Sequence, residues 1–375
     1  MRYVIRTLVT LAATASMGFA EAPEEPAASL QPFINRGELA GATTLVATVD
    51  GVSSLQAVGF ADREAGRPMR TDSVFWIASM SKPITATALM MLVDEGKVRL
   101  DDPVERHLPE FRGQRLSAGV VDGRAAFKKP AHPITVREIL SHTSGLPFST
   151  DKEKPTLDLH TLAERTRSYA ATPLEAEPGT RYRYSNAGFN TAGRIIEVVS
   201  GQAYEDFLDE RLFRPLGMTD TTFRPDAGQI ARLATSYKPG PGGETLEPFK
   251  ITQLKYPLDD PGRRPMPAGG LFSTASDMGR FCRMILNRGE WEGKRLVSEQ
   301  SVAEMTRKQT GSLPENYGLG WSITGSSFGH GGAYATNKAI DPTHGRVFVF
   351  LVQHAGFPHD RGGEILSTFL KAASR

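Results

Sequence analysis

The 375-residue chain has a single cysteine, Cys282. An internal disulfide and a cysteine-based metal site are both excluded, so stability must come from a packed core, which this length permits. Cys282 lies between Phe281 and Arg283 in a helical pattern and reads as a buried structural thiol. Charge of one sign is missing too: 44 Lys and Arg face 42 Asp and Glu, for a net charge of +2. With no basic stripe and no RNA- or DNA-binding motif, nucleic acid is not an expected partner. His107, His132, His160, His344, His354 and His359 are scattered without ligand spacing, so no metal is expected. No apolar run reaches the ~20 residues that a membrane span needs, and there is no internal repeat.

What is present begins with an export signal. Arg2 and Arg6 precede a mostly apolar stretch from Leu8 to Ala15, and Gly18-Phe19-Ala20 supplies small residues for a signal peptidase. Residues 1–20 are read as a cleaved signal peptide, with cleavage after Ala22 as the alternative, and the mature protein as periplasmic or secreted. No cysteine near the cleavage site supports lipid attachment, and Arg2 and Arg6 are not adjacent as a twin-arginine signal requires. The acidic, Pro- and Ala-rich residues 21–28 read as a linker, leaving residues 29–375 as the folded part.

Asp50-Gly51 between β-branched runs from Thr43 to Gly59 predicts a hairpin. Ile84, Ala88, Met91 and Leu92 predict one buried helical stripe. Pro83 is tolerated only in a first turn, so Ser79 must lie within about a turn of that helix's N-terminus, where the backbone dipole favours negative charge. Further helices are expected over 136–140, 192–199, 204–212, 274–286 and 364–373. Strands are expected over 318–323 and 345–353. Within the latter, Val347 to Val352 is a continuous apolar run, the pattern of a strand covered on both faces. Residues 113–133 and 238–248 read as long surface loops, and the Pro- and Gly-rich 256–270 as a crossing between substructures.

The chemistry-bearing stretch is Ser79-Met80-Ser81-Lys82. Residues three apart share a helix face, which puts an amine within reach of a hydroxyl and gives a nucleophile a neighbouring base. Two further motifs follow in order, Tyr184-Ser185-Asn186 and His330-Gly331-Gly332. Together the three resemble the serine β-lactamase and penicillin-binding superfamily, in its class C-like branch with esterase and D-amino-acid peptidase relatives. Leu140 to Leu146, Pro178-Gly179, Ala268 to Leu271 and Tyr317 to Trp321 resemble the same family.

The resemblance implies an α+β fold of the β-lactamase/transpeptidase type. Both chain ends, about 29–95 and 266–375, would form an antiparallel sheet flanked by helices, and about 96–265 a helical subdomain. It implies Ser79 as the acylated nucleophile, with Lys82 and Tyr184 sharing the proton and titrating as a unit, two nearby cations favouring the Tyr184 phenolate. Asn186 would orient Lys82 or the substrate carbonyl; the Ser79 and Ala333 amides would form the oxyanion hole; His330 and Gly332 would meet the substrate. No cofactor is implied. His330 stands where β-lactamases carry lysine, and a histidine is mostly neutral at pH 7. That weakens carboxylate anchoring and moves the expected substrate toward an ester or small amide. A D-amino-acid-directed peptidase or DD-carboxypeptidase, a weak β-lactamase and a non-catalytic penicillin-binding scaffold are the alternatives. His142 reads as structural. Gly325-Ser326-Ser327-Phe328-Gly329 matches the Gly-x-Ser-x-Gly pattern, but that elbow needs a helix after it, and Gly331-Gly332 follow instead.

Overall fold

The computed structural model describes residues 25–375; the expected signal peptide, residues 1–20, lies outside them. A seven-stranded antiparallel sheet is built from both chain ends. Its order is Ser322–Thr324, Ser327–Gly331, Asn337–Asp341, Arg346–Leu351, Gly41–Ala47, Val52–Asp62 and Arg67–Pro68. The first and last parts of the chain meet where Thr43 pairs with Leu351 and Ala47 with Val347. The hairpin around Asp50-Gly51 forms, though with neither residue at positive φ and so not as the two-residue primed turn that Asp-Gly favours.

Alternation along Arg346–Leu351 divides the core. Val347, Val349 and Leu351 join the large cluster that runs on into the helical part, while Phe348, Phe350 and Val352 pack with Leu30, Phe33 and Phe369 on the opposite face. The helix Ala275–Leu286 covers the first face; the helix Gly362–Ala373 and the turn Pro26–Leu30 cover the second. This is the β-lactamase/transpeptidase-like arrangement, an antiparallel sheet with flanking helices.

Several local expectations need correction. The stretch read as a linker through Ala28 enters the fold at Pro26: Ala27 and Leu30 are buried, and the Ala27 amide donates to Gln56 Oε1 at 2.9 Å. Residues 113–133 contain a hairpin, Leu116–Val121 with Arg124–Lys128, turning at Asp122-Gly123 where both φ angles are positive. Residues 238–248 likewise hold the short hairpin Tyr237–Pro239 with Leu246–Pro248. The strand expected over 318–323 begins only at Ser322.

The helix Ser81–Asp94 carries no single stripe. Every residue from Ser81 to Leu92 is buried, because the helix packs between the helices Asn186–Ser200 and Glu299–Thr306. The Gly-x-Ser-x-Gly stretch is a tight strand-to-strand turn at Gly325, φ +60°. No helix among the described residues is long and apolar enough to cross a membrane.

Candidate active site

Ser79 sits in the 3-10 turn Ala78–Met80, immediately before the helix Ser81–Asp94 and with Pro83 in that helix's first turn. Ala78 is held at φ +45°, a conformation L-residues adopt only where the surroundings enforce it. Those surroundings are hydrogen bonds to the turn's carbonyls. Ser81 Oγ donates to Ala78 O at 2.7 Å, Thr336 Oγ1 to Ile77 O at 3.2 Å and Lys338 Nζ to Met80 O at 3.1 Å. A Cβ at position 332 would lie 2.5 Å from Ile77 O, so Gly332 is what lets the strand edge reach the nucleophile turn.

Lys82 is wholly buried, and among the described residues no carboxylate pairs with it. Its Nζ lies 2.7 Å from Ala268 O, 2.8 Å from Asn186 Oδ1 and 3.1 Å from Ser79 Oγ. Burial pushes the amine well below the ordinary lysine range. A neutral amine has two N–H donors and one lone pair. In that form the two carbonyl oxygens take the donors, and the lone pair faces the Ser79 hydroxyl.

Tyr184 closes the group. The Ser79 hydroxyl bears on its phenol, and Lys82 Nζ lies 4.6 Å from its ring centroid. Burial pushes the phenol up to about 12, with the Ser79 hydroxyl pulling the other way. The expected phenolate is therefore not favoured. Desolvation favours the neutral form of both groups, the phenol with its proton and the amine with its lone pair.

His142 positions this phenol, a role that reading it as a generic structural histidine missed. The Arg183 amide donates to His142 O at 2.8 Å and the Ser185 amide to His142 Nδ1 at 3.0 Å, gripping the chain on either side of Tyr184. The His142 ring packs 4.3 Å from the Tyr184 ring. Ser185 Oγ caps the helix Asn186–Ser200 by accepting from the Gly188 amide, which fixes Asn186 beneath Lys82. The motif from Leu140 to Leu146 marked the segment; only the fold shows what His142 grips.

His330 is placed differently from the expectation. It is buried, its Nδ1–H donates to Gly331 O at 2.7 Å, and its Nε2 accepts from the Tyr317 hydroxyl at 2.9 Å. Burial first, then the Lys82 charge, push it down to about 3. A neutral imidazole with both nitrogens engaged has nothing left with which to hold a substrate carboxylate. Its cross-strand partner is Lys338, a buried lysine not singled out from the sequence. Phe281 and Trp321 rings lie 4.5 and 5.3 Å from the Lys338 amine, and burial pushes it down to about 8. Its place two residues before Ile340, on the same face of a strand, is the sequence signal that could have placed it inward.

Among the described residues, the Ser79 and Ala333 amides donate to no acceptor. Ala333 is exposed beside the half-buried Ser79. Ser327 stays apart, in the strand-to-strand turn. Among the described residues no group of histidine, cysteine or carboxylate side chains could hold a metal.

A family model described as Beta-lactamase matches residues 27–372. Penicillin-binding protein 4 of Amycolatopsis lactamdurans is 34% identical over 292 residues, covering 77% of this chain and 70% of that protein. Esterase EstB of Burkholderia gladioli is 32% identical over 314 residues, covering 76% and 74%. Among solved structures, EstCE1, "a hydrolase with promiscuous acyltransferase activity", superposes with a TM-score of 0.79 at 25% identity, covering 94% of this chain and 98% of that one. With a nucleophile turn, a buried amine and a phenol assembled as described, the chain belongs to the β-lactamase family and is a serine hydrolase.

Proposed function

We propose that this chain is an exported hydrolase that forms an acyl-enzyme on Ser79 and hydrolyses an uncharged ester or small amide. The observation that carries the reading is the Lys82 amine, buried without a carboxylate and 3.1 Å from Ser79 Oγ. As Oγ bonds to the carbonyl carbon, its proton passes to Lys82. The oxyanion would be held by the Ser79 and Ala333 amides, each such donor being worth roughly 3 kcal/mol of barrier. When the bond to the leaving alcohol breaks, that oxygen takes the Tyr184 proton, and the proton on Lys82 restores the phenol. Water then adds to the acyl carbon, its proton returns Ser79 to the hydroxyl form, and the acid departs.

The absence of a charged anchor at His330 supports an uncharged substrate. The competing reading is a D-amino-acid-directed peptidase or weak β-lactamase, and the relative named as a penicillin-binding protein speaks for it. Export rests on the sequence of residues 1–20 alone.

The test is intact-protein mass spectrometry after exposure to short-chain esters, a D-alanyl dipeptide and a chromogenic cephalosporin. An adduct from the esters that maps to Ser79, is lost in Ser79→Ala and is retained in Ser327→Ala is the expected result. Adducts from the dipeptide or cephalosporin alone would favour the competing reading.

A further inference from the structure

Phe148 is a large apolar side chain left 53% exposed. Singly exposed apolar residues are common and mean little by themselves; this one is distinguished by where it is fixed. Its ring stacks on Tyr184, with centroids 6.3 Å apart and planes at 26°. Its carbonyl accepts from the Asn186 amide at 3.0 Å and the Ala187 amide at 3.3 Å, while Ser185 Oγ donates to the preceding Pro147 carbonyl at 2.7 Å. Three hydrogen bonds thus tie Pro147-Phe148 to the start of the helix that supplies Asn186. The open aromatic face is held in register with Ser79 rather than carried on a loose loop.

The charges around the site narrow what that face can meet. His330 is neutral with both nitrogens engaged, and Arg183 is paired with Glu175 at 2.6 Å. Neither His330 nor the paired Arg183 offers an anionic substrate group a free charge, whereas an apolar group gains by covering the ring.

We infer that Phe148 forms a leaving-group subsite that selects uncharged esters whose alcohol portion is aromatic or bulky and apolar. The inference rests on the proposed reading in which Tyr184 protonates the leaving alcohol, since the ring stacked on Tyr184 then borders the departing group. Phe148 acts on specificity and takes no part in proton transfer.

The experiment compares benzyl acetate with 2-methoxyethyl acetate, which share the acyl group and have leaving alcohols of similar acidity, in wild type, Phe148→Ala and Phe148→Leu. Wild type should prefer the benzyl ester. Phe148→Ala should lower kcat/KM for it about tenfold, through KM rather than kcat, while 2-methoxyethyl acetate changes less than about twofold. Phe148→Leu should recover part of the loss. Equal losses on both esters, or no loss on either, overturn the inference, and thermal melts identify any variant that has simply unfolded. If wild type shows no Ser79 adduct with either ester, the underlying reading fails and takes the subsite with it; an adduct without benzyl preference sinks the subsite alone.

Discussion

Replacing Lys338 with methionine should change how stability depends on pH. The Lys338 ammonium is fully buried, donates to Met80 O at 3.1 Å and otherwise faces the Phe281 and Trp321 rings. Burial lowers it from the ordinary 10.5 to about 8, a difference worth about 3 kcal/mol at ~1.4 kcal/mol per pH unit. Because the folded value is the lower one, the unfolded chain binds more protons between pH 8 and 10.5. Stability from this group therefore rises with pH across that window, and the penalty is fully present below pH 8. Of the facing titratable groups, His330 is pushed down to about 3, outside the window; Cys282 is pushed up from 9.0 to about 11, so its contribution falls with rising pH inside the window and is removed only by taking the difference between the two proteins.

Methionine keeps the length and removes the charge. At pH 7 the loss of the Lys338 hydrogen bond to Met80 O, a carbonyl that still serves as the helix N-cap acceptor, costs about 1 kcal/mol, offset by relief from burying an ammonium without a carboxylate, so the two proteins should melt within a few degrees. Between pH 8 and 10.5 wild type should gain on Lys338→Met by about 3 kcal/mol, or about 4 °C for a chain of this size. Melts of both proteins across that range, read as a difference so that shared titrations cancel, make the measurement. A constant difference from pH 7.5 to 10.5 would refute the reasoning.

Tyr184→Phe should lower kcat for ester hydrolysis by about 10²–10³-fold with little change in KM, because it removes the leaving-group proton and leaves the ring stack; stopped-flow and steady-state assays measure it. The hydrolysis rate should climb with pH as Lys82 loses its proton, well below the ordinary 10.5, and no alkaline limb should appear before Tyr184 titrates near its raised value of about 12. Lys82→Arg, which keeps its charge at all these pH values, should abolish turnover at every pH. Asp158→Asn breaks a pair with Arg263, 2.7 Å apart with both side chains at most 2% exposed, and should cost about 3–5 kcal/mol in denaturant melts.

The order of motifs in the chain fixed a good deal. Pro83 can stand only in a first turn, so it dated the start of the helix and placed Ser79 just ahead of it, where the structure has it. The unbroken run Val347 to Val352 marked a strand covered on both sides, because only such a strand lacks polar alternation. Asp50-Gly51 marked one hairpin, yet the equivalent Asp122-Gly123 escaped notice because its strands are exposed on nearly every residue and carry no buried period.

What the chain alone left open depends on long-range neighbours. Lys82 meets Asn186 and Ala268 across more than a hundred residues, and only their assembly shows an amine held between two carbonyl oxygens and the Ser79 hydroxyl. The sequence put a histidine at position 330; the fold turned it inward onto Tyr317, and burial removed its charge. The reason is general: a side chain's identity sets which protons and lone pairs it has, and desolvation and partners, which exist only once the chain has closed, decide which of them remain free to act.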